Sequence, residues 1–190
     1  MPRPYTLKRR AESQAATRKR IVEAAIALHA SVGPARTTLS MIAERAGVQR
    51  HTLYAHFPDE RSLALACSGL HLEREPLPAA GDWRRIEDVS DRLRIGLSAL
   101  YAWYERNAEL ARCVLRDAEC HPLTKEIVEL RFGPALSAIA EVLGEGLTQE
   151  QRPLLRLAMS YHTWRSLALE SGVGTPAAVD IMVHAIGTAG

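Results

Sequence analysis

Cysteine is scarce. Three in 190 residues, an odd count with no Cys-x-x-Cys pair, argue against a disulfide framework and for a reducing compartment. Aromatic residues make up only 5% of the chain, and β-branched residues rarely alternate with polar ones, so sheet architectures are not expected. No run approaches the ~18 apolar residues of a membrane-crossing helix, and the basic N-terminus lacks the apolar stretch of a secretion signal. A soluble, cytoplasmic protein with no membrane partner is expected. The GxSxG, HExxH and P-loop patterns are missing, and Ser, His and Asp never fall at a spacing that implies a triad. No enzymatic activity and no cofactor are therefore expected.

Ala, Leu, Arg and Glu are abundant, and 47% of the residues are hydrophobic. That supports an all-α fold with a real core. The net charge of +2 is unevenly spread. Residues 1–58 carry ten Lys/Arg against three Glu, or +7, which leaves −5 for the rest. A basic N-terminal third on an acidic body is the footprint of a polyanionic partner at one end.

The most informative stretch is Thr38 to Phe57, TLSMIAERAGVQRHTLYAHF. Leu39, Ile42, Ala43 and Ala46 recur at helical spacing and give a first helix one apolar face. Thr38 can cap its N-terminus, and Gly47 can stop it in the left-handed conformation. Leu53 and Phe57, four apart, pin one face of a second helix. The rest of that helix carries Gln49, Arg50, His51, Thr52, Tyr54 and His56. A row of polar groups on a short helix is what reading a DNA major groove requires.

On Thr38, Ile42-Ala43, Ala46-Gly47-Val48, Thr52-Leu53-Tyr54, His56-Phe57 and Leu63, the stretch resembles the DNA-binding half of the TetR (tetracycline repressor) family of bacterial regulators. Three positions depart from the family pattern. Gln49 stands where Ser is usual, and His51 where Gly, Ala or Pro is. Glu60 stands where a phosphate-binding Lys is frequent, which removes one backbone contact and puts a repulsive charge near the phosphates unless Arg61 compensates. The resemblance implies an N-terminal three-helix helix-turn-helix domain and a larger C-terminal helical domain for ligand binding and dimerisation. It also implies a palindromic double-stranded DNA operator, a homodimer through the last two helices and an unknown small-molecule effector. The expected function is a ligand-responsive dimeric regulator, a repressor released from its operator and nucleoid-associated when bound. The alternative is a helical DNA- or partner-binding dimer with no effector. Arg50, His51 and Thr52 are the candidates for base edges, with Gln49 at the helix start. Tyr54, His56 and Thr38 are the candidates for phosphates.

In chain order, residues 1–13 are expected to be a basic flexible arm, a tail that adds general DNA affinity in preference to one that reaches a neighbouring minor groove. Residues 14–60 form the helix-turn-helix domain, opened by a helix over 14–32. Residues 61–190 form the effector and dimerisation domain. Asp59 caps the helix to about Glu75, and PLPAAG (76–81) is a linker. Helices follow over 86–107, 110–120 and 125–143, the last with a kink or break at Gly133-Pro134. Thr148 and Gln151 form a capping box for a helix running to about Glu170, with a stripe of Leu154, Leu157, Tyr161, Trp164 and Ala168. Thr175-Pro176 opens the final helix. Candidate pocket residues are Tyr101, Trp103, Tyr104, Arg116, Phe132, Met159, His162 and Trp164, aromatic or Met walls with a few polar groups. Cys113, Asp117, Cys120 and His121 share one helical face, but their spacing matches no established metal motif, and no metal is expected.

Overall fold

The computed structural model describes residues 4–189, with side chains from Lys8 on. Ten α-helices and no strands occur among the described residues: α1 (Pro4–Ser31), α2 (Leu39–Ala46), α3 (Arg50–His56), α4 (Glu60–Arg74), α5 (Val89–Arg106), α6 (Ala108–Ala118), α7 (Pro122–Leu143), α8 (Gln151–Ala158), α9 (Tyr161–Trp164) and α10 (Gly174–Gly187). Short 3-10 turns cover Pro34–Arg36 and Gly81–Arg85, and a π-helical turn covers Arg165–Glu170. The all-α expectation holds.

The helices form two compact units. Among the described residues, the first comprises 4–74 and 112–128, the second 75–111 and 129–189. The compact unit that holds the helix-turn-helix thus runs on to Arg74 and takes in α4. α4 belongs with the first unit because Leu63 and Cys67 complete its core, beside Ile21, Val22, Ala25, Ile42, Ala43, Leu53 and Phe57. The segment 112–128 joins it through specific contacts. Cys113 Sγ donates to the Ala30 carbonyl at 3.2 Å, and the buried Asp117 carboxylate accepts from the Ala35 N–H at 2.9 Å.

The arm expected over residues 1–13 is helical from Pro4 onward, continuous with the helix expected from residue 14. Residues 1–3 lie outside the described residues. Lys, Arg, Glu, Gln and Ala are good helix formers and need no apolar face to extend a helix already anchored by Ile21, Val22 and Ala25.

In the second unit, the core of α5 is Leu93, Leu97, Leu100, Tyr101 and Tyr104, joined by Ile139, Leu143, Leu155, Trp164, Val179 and Ile186. The capping box forms: the Thr148 N–H donates to Gln151 Oε1 at 3.0 Å, and the Gln151 N–H to Thr148 Oγ1 at 3.3 Å. The helix it opens does not run to Glu170. It stops at Ala158, and Ser160 recaps the chain by accepting from the His162 N–H at 3.2 Å. The stripe changes accordingly. Leu155 and Ala158 are buried, whereas Leu157 is 52% exposed. α7 runs through Pro134 without a break. Thr175 does not cap α10, which starts at Gly174. Its hydroxyl instead accepts from Trp164 Nε1 at 3.3 Å.

Candidate nucleic-acid interface

The helix-turn-helix is built from short-range chemistry. Thr38 Oγ1 accepts from the Met41 N–H at 3.3 Å. Gly47 sits at φ 64°, ψ 42°, in the left-handed region. The Val48 N–H then reaches the Ala43 carbonyl and the Gly47 N–H the Glu44 carbonyl, both at 3.0 Å. This pair of bonds is a Schellman closure, and it turns the chain into α3 after a single residue, Gln49.

α3 is fixed from below and open above. Leu53 and Phe57 are buried at 0% and 1% exposure. Gln49, Arg50, His51 and Tyr54 are exposed, while Thr52 and His56 are half-buried. Gln49 precedes the helix, but its side chain makes no capping bond, so its amide stays available. Arg50 leans forward along the helix: its guanidinium lies 6.0 Å from the Tyr54 ring centroid and donates to Tyr54 Oη at 3.4 Å. This i,i+4 pair holds a fork of donors with two N–H edges still free, which suits a guanine edge. The Thr38 hydroxyl accepts in its cap yet keeps its own O–H to donate. All seven residues proposed for DNA thus lie on one short motif.

The chain beyond α3 is acidic. Asp59 Oδ1 caps α4 by accepting from the Ser62 N–H at 2.6 Å, and Glu60 is exposed in its first turn. Arg61 does not compensate, because both its Nε and its terminal nitrogen lie 2.8 Å from Glu126 Oε1. One cation packed against the end of α3 is one that sequence reasoning did not single out. Arg18 of α1 stacks over the Phe57 ring, 4.4 Å from its centroid. The one available signal was its position three residues before the buried Ile21, on the same face of α1. The basic run Lys8-Arg9-Arg10 is helical, and a helix about 10–12 Å across with its side chains does not enter a minor groove about 6 Å wide.

The candidate pocket residues divide between two places. Tyr101, Trp103, Tyr104, Phe132, Met159 and Trp164 gather in the second unit. Trp103 meets Phe132 edge-on at 5.8 Å, and Tyr104 lies 5.9 Å from Trp164. Tyr161, missing from the expected set, joins them edge-on to Tyr104 at 5.5 Å. Its place in an apolar stripe was the signal. The polar tips are satisfied by carbonyls: Tyr101 Oη donates to Ala158 at 2.8 Å, Tyr104 Oη to Met159 at 2.6 Å and Trp103 Nε1 to Glu75 at 3.0 Å. Burial pushes both phenol pKa values up, so the rings stay neutral donors. His162 is exposed, with its ring against Tyr161 at 5.6 Å. Arg116 belongs to the first unit, where it pairs with Asp117 Oδ1 at 2.7 Å and donates to the Val32 carbonyl at 3.1 Å. Neither supplies the cluster with a buried polar group. Cys113 and Asp117 are likewise spent on the first unit's own contacts, while Cys120 is exposed.

Known proteins match this arrangement. The sequence model for bacterial regulatory proteins of the tetR family matches residues 21–67, from the core of α1 to Cys67 in α4. An uncharacterised HTH-type transcriptional regulator of Mycobacterium bovis is 32% identical over 149 residues, covering 73% of this chain and 69% of that protein. One from Mycobacterium tuberculosis is 33% identical over 150 residues, with the same coverage. Among solved structures, FadR of Bacillus subtilis in complex with stearoyl-CoA aligns with a TM-score of 0.63 at 16% identity, over 90% of this chain and 97% of that one. A TetR family transcription regulator of Marinobacter aquaeolei aligns with a TM-score of 0.57 at 23% identity, over 93% and 97%. The capped turn, the open α3 and these matches together make the chain a helix-turn-helix transcriptional regulator that belongs to the tetR family of bacterial regulatory proteins.

Proposed function

We propose that the protein is a dimeric repressor that reads a palindromic operator through α3 and leaves it when a small molecule binds among the helices after residue 75. The observation that carries DNA reading is the split surface of α3. Leu53 and Phe57 are sealed in the core while Gln49, Arg50, His51 and Tyr54 face outward with almost no internal partner. Two copies of α3 about 34 Å apart would meet successive major grooves on one side of the duplex. The aromatic cluster around Tyr104 supports an effector site, being largely apolar with a few oriented polar tips. A ligand shifts the DNA-bound state only by its differential affinity, typically ~1–3 kcal/mol.

One observation favours the effector-free alternative. The phenols of Tyr101 and Tyr104 and the indoles of Trp103 and Trp164 already have protein partners. A ligand must displace or spread these contacts to enter.

The test is a gel shift on the DNA just upstream of this protein's own gene, beside a scrambled duplex. Binding well above the scrambled control is expected, and Arg50→Ala should lose ~1–3 kcal/mol on the upstream duplex alone while relaxing one base position. Equal, weak binding to both duplexes would remove operator reading there. Stearoyl-CoA, the ligand of the B. subtilis neighbour, is the first probe for release. Release by an acyl chain would favour the first reading, and indifference to a broad ligand panel the second.

A further inference from the structure

Between α1 and α3 lies an open groove of about 390 Å³, walled by Gln14, Arg18 and His56 over a floor of Ala11, Ala15 and Ala55. Its three polar side chains make no hydrogen bond or ion pair with any described residue. Arg18 is nonetheless held in place, since its guanidinium lies over the face of the buried Phe57 ring at 4.4 Å. Stacking uses the face of a guanidinium and leaves its N–H edges unspent. Alanines on the floor let a bulky group approach both backbones. The first turn of α4 adds no free cation to it, because Glu60 is acidic and Arg61 is bound to Glu126.

We propose that this groove is a seat for one backbone phosphate of the bound DNA, with Arg18 as its fixed cation and Gln14 and His56 as flanking donors. The proposal rests on the DNA-reading function above and adds where the backbone is gripped. A guanidinium held by a ring suffers less loss of freedom on contact than a free one, and it matches two phosphate oxygens at once. The contact is blind to sequence, so it sets register and affinity while α3 sets specificity.

The experiment is fluorescence anisotropy of the full chain with two labelled duplexes, the upstream DNA and its scrambled counterpart, across a salt series. Arg18→Gln is expected to weaken binding to both duplexes alike. It should also flatten the log–log salt slope by about 0.9, so that the wild-type advantage shrinks about 3.5-fold between 50 and 200 mM salt. Gln14→Glu, on an exposed helical position, places a carboxylate in the seat and should weaken both duplexes by up to about 5-fold at low salt. Arg152→Gln, an exposed cation of the second unit, should leave the slope unchanged. A wild-type slope in Arg18→Gln, or wild-type affinity in Gln14→Glu, would overturn the seat while leaving DNA reading intact. Wild-type protein that binds neither duplex would overturn the reading and the seat with it.

Discussion

At the scale of single residues, His29 is a group whose charge is opposed by the fold. It lies on α1 with Nδ1 3.7 Å from Cys67 Sγ. Burial pulls its pKa down to about 4, against a smaller opposing pull from the Asp117 carboxylate. In the unfolded chain the imidazole titrates near 6.5. Between these values the unfolded chain holds a proton that the folded chain does not. The stability of the neutral form is therefore fully present above about pH 6.5 and is lost as pH falls toward 4. The full displacement corresponds to at most about 3 kcal/mol. Urea unfolding at pH 7 and pH 5 should show a fall in midpoint for the wild type and a distinctly smaller one for His29→Gln. Parallel falls in the two proteins would assign the acid sensitivity to other groups. The same scale is where sequence was most legible. Thr38, Gly47, Asp59 and the Thr148–Gln151 pair each act on backbone groups within a few residues, so their roles follow from local chemistry alone.

At the scale of elements, the corner between α1 and α2 is held from a distance. Gly33 has φ 96°, and a Cβ there would stand 2.3 Å from Asp117 Oδ2 and 2.4 Å from a terminal nitrogen of Arg116. Two costs add for Gly33→Ala: a left-handed backbone that disfavours any Cβ, and displacement of a carboxylate 4% exposed that already bonds Ala35. A loss above about 2 kcal/mol is expected, measured by chemical denaturation. Gly47→Ala makes a useful comparison, since its added Cβ meets nothing within 4 Å and only the conformational part, about 1–2 kcal/mol, remains. Equal losses at both positions would mean that the Asp117 contact adds nothing. Sequence reading gave only a helix ending at residue 32 there, because a partner some eighty residues away leaves no local trace. The break at Ser160 was hidden for a related reason. Leu157, Tyr161 and Trp164 keep helical spacing across it, and only packing determines that Leu155 and Ala158 turn inward instead. The helical start of α1 was hidden by its polarity, since periodicity reports a buried face and residues 8–16 have none. Arg116 and His162 were drawn into the pocket set because residue type was the only guide there, and type does not say which face a side chain takes.

At the scale of the whole molecule, the apolar surface is unevenly placed. Leu157, Leu169, Val173 and Ile181 are each at least 42% exposed, and all lie between α8 and α10. Single exposed apolar residues are ordinary, but four fall within the last helices of one unit, where the dimer is proposed. That dimer would cover them with the same surface of a second copy, as two-fold symmetry requires. A stable dimer needs about 1,200–2,000 Å² of total buried area, more than any one side chain supplies, so two charges are better than one as a test. Leu157→Glu combined with Ile181→Glu leaves the protomer core untouched, because both side chains point away from it. The expected outcome is a monomer by sedimentation, still helical, whose melting temperature no longer rises with protein concentration. Operator binding should fall together with assembly. Each α3 would then engage its half-site alone, and the advantage of a tethered second site, about 10²–10⁴-fold, would be lost. Binding to a scrambled duplex should fall far less, since charge attraction needs no second reader in register. A dimeric double variant would move the interface elsewhere. A monomer with undiminished operator affinity would separate assembly from DNA reading altogether, and the spacing of two α3 helices could then no longer be what an effector controls.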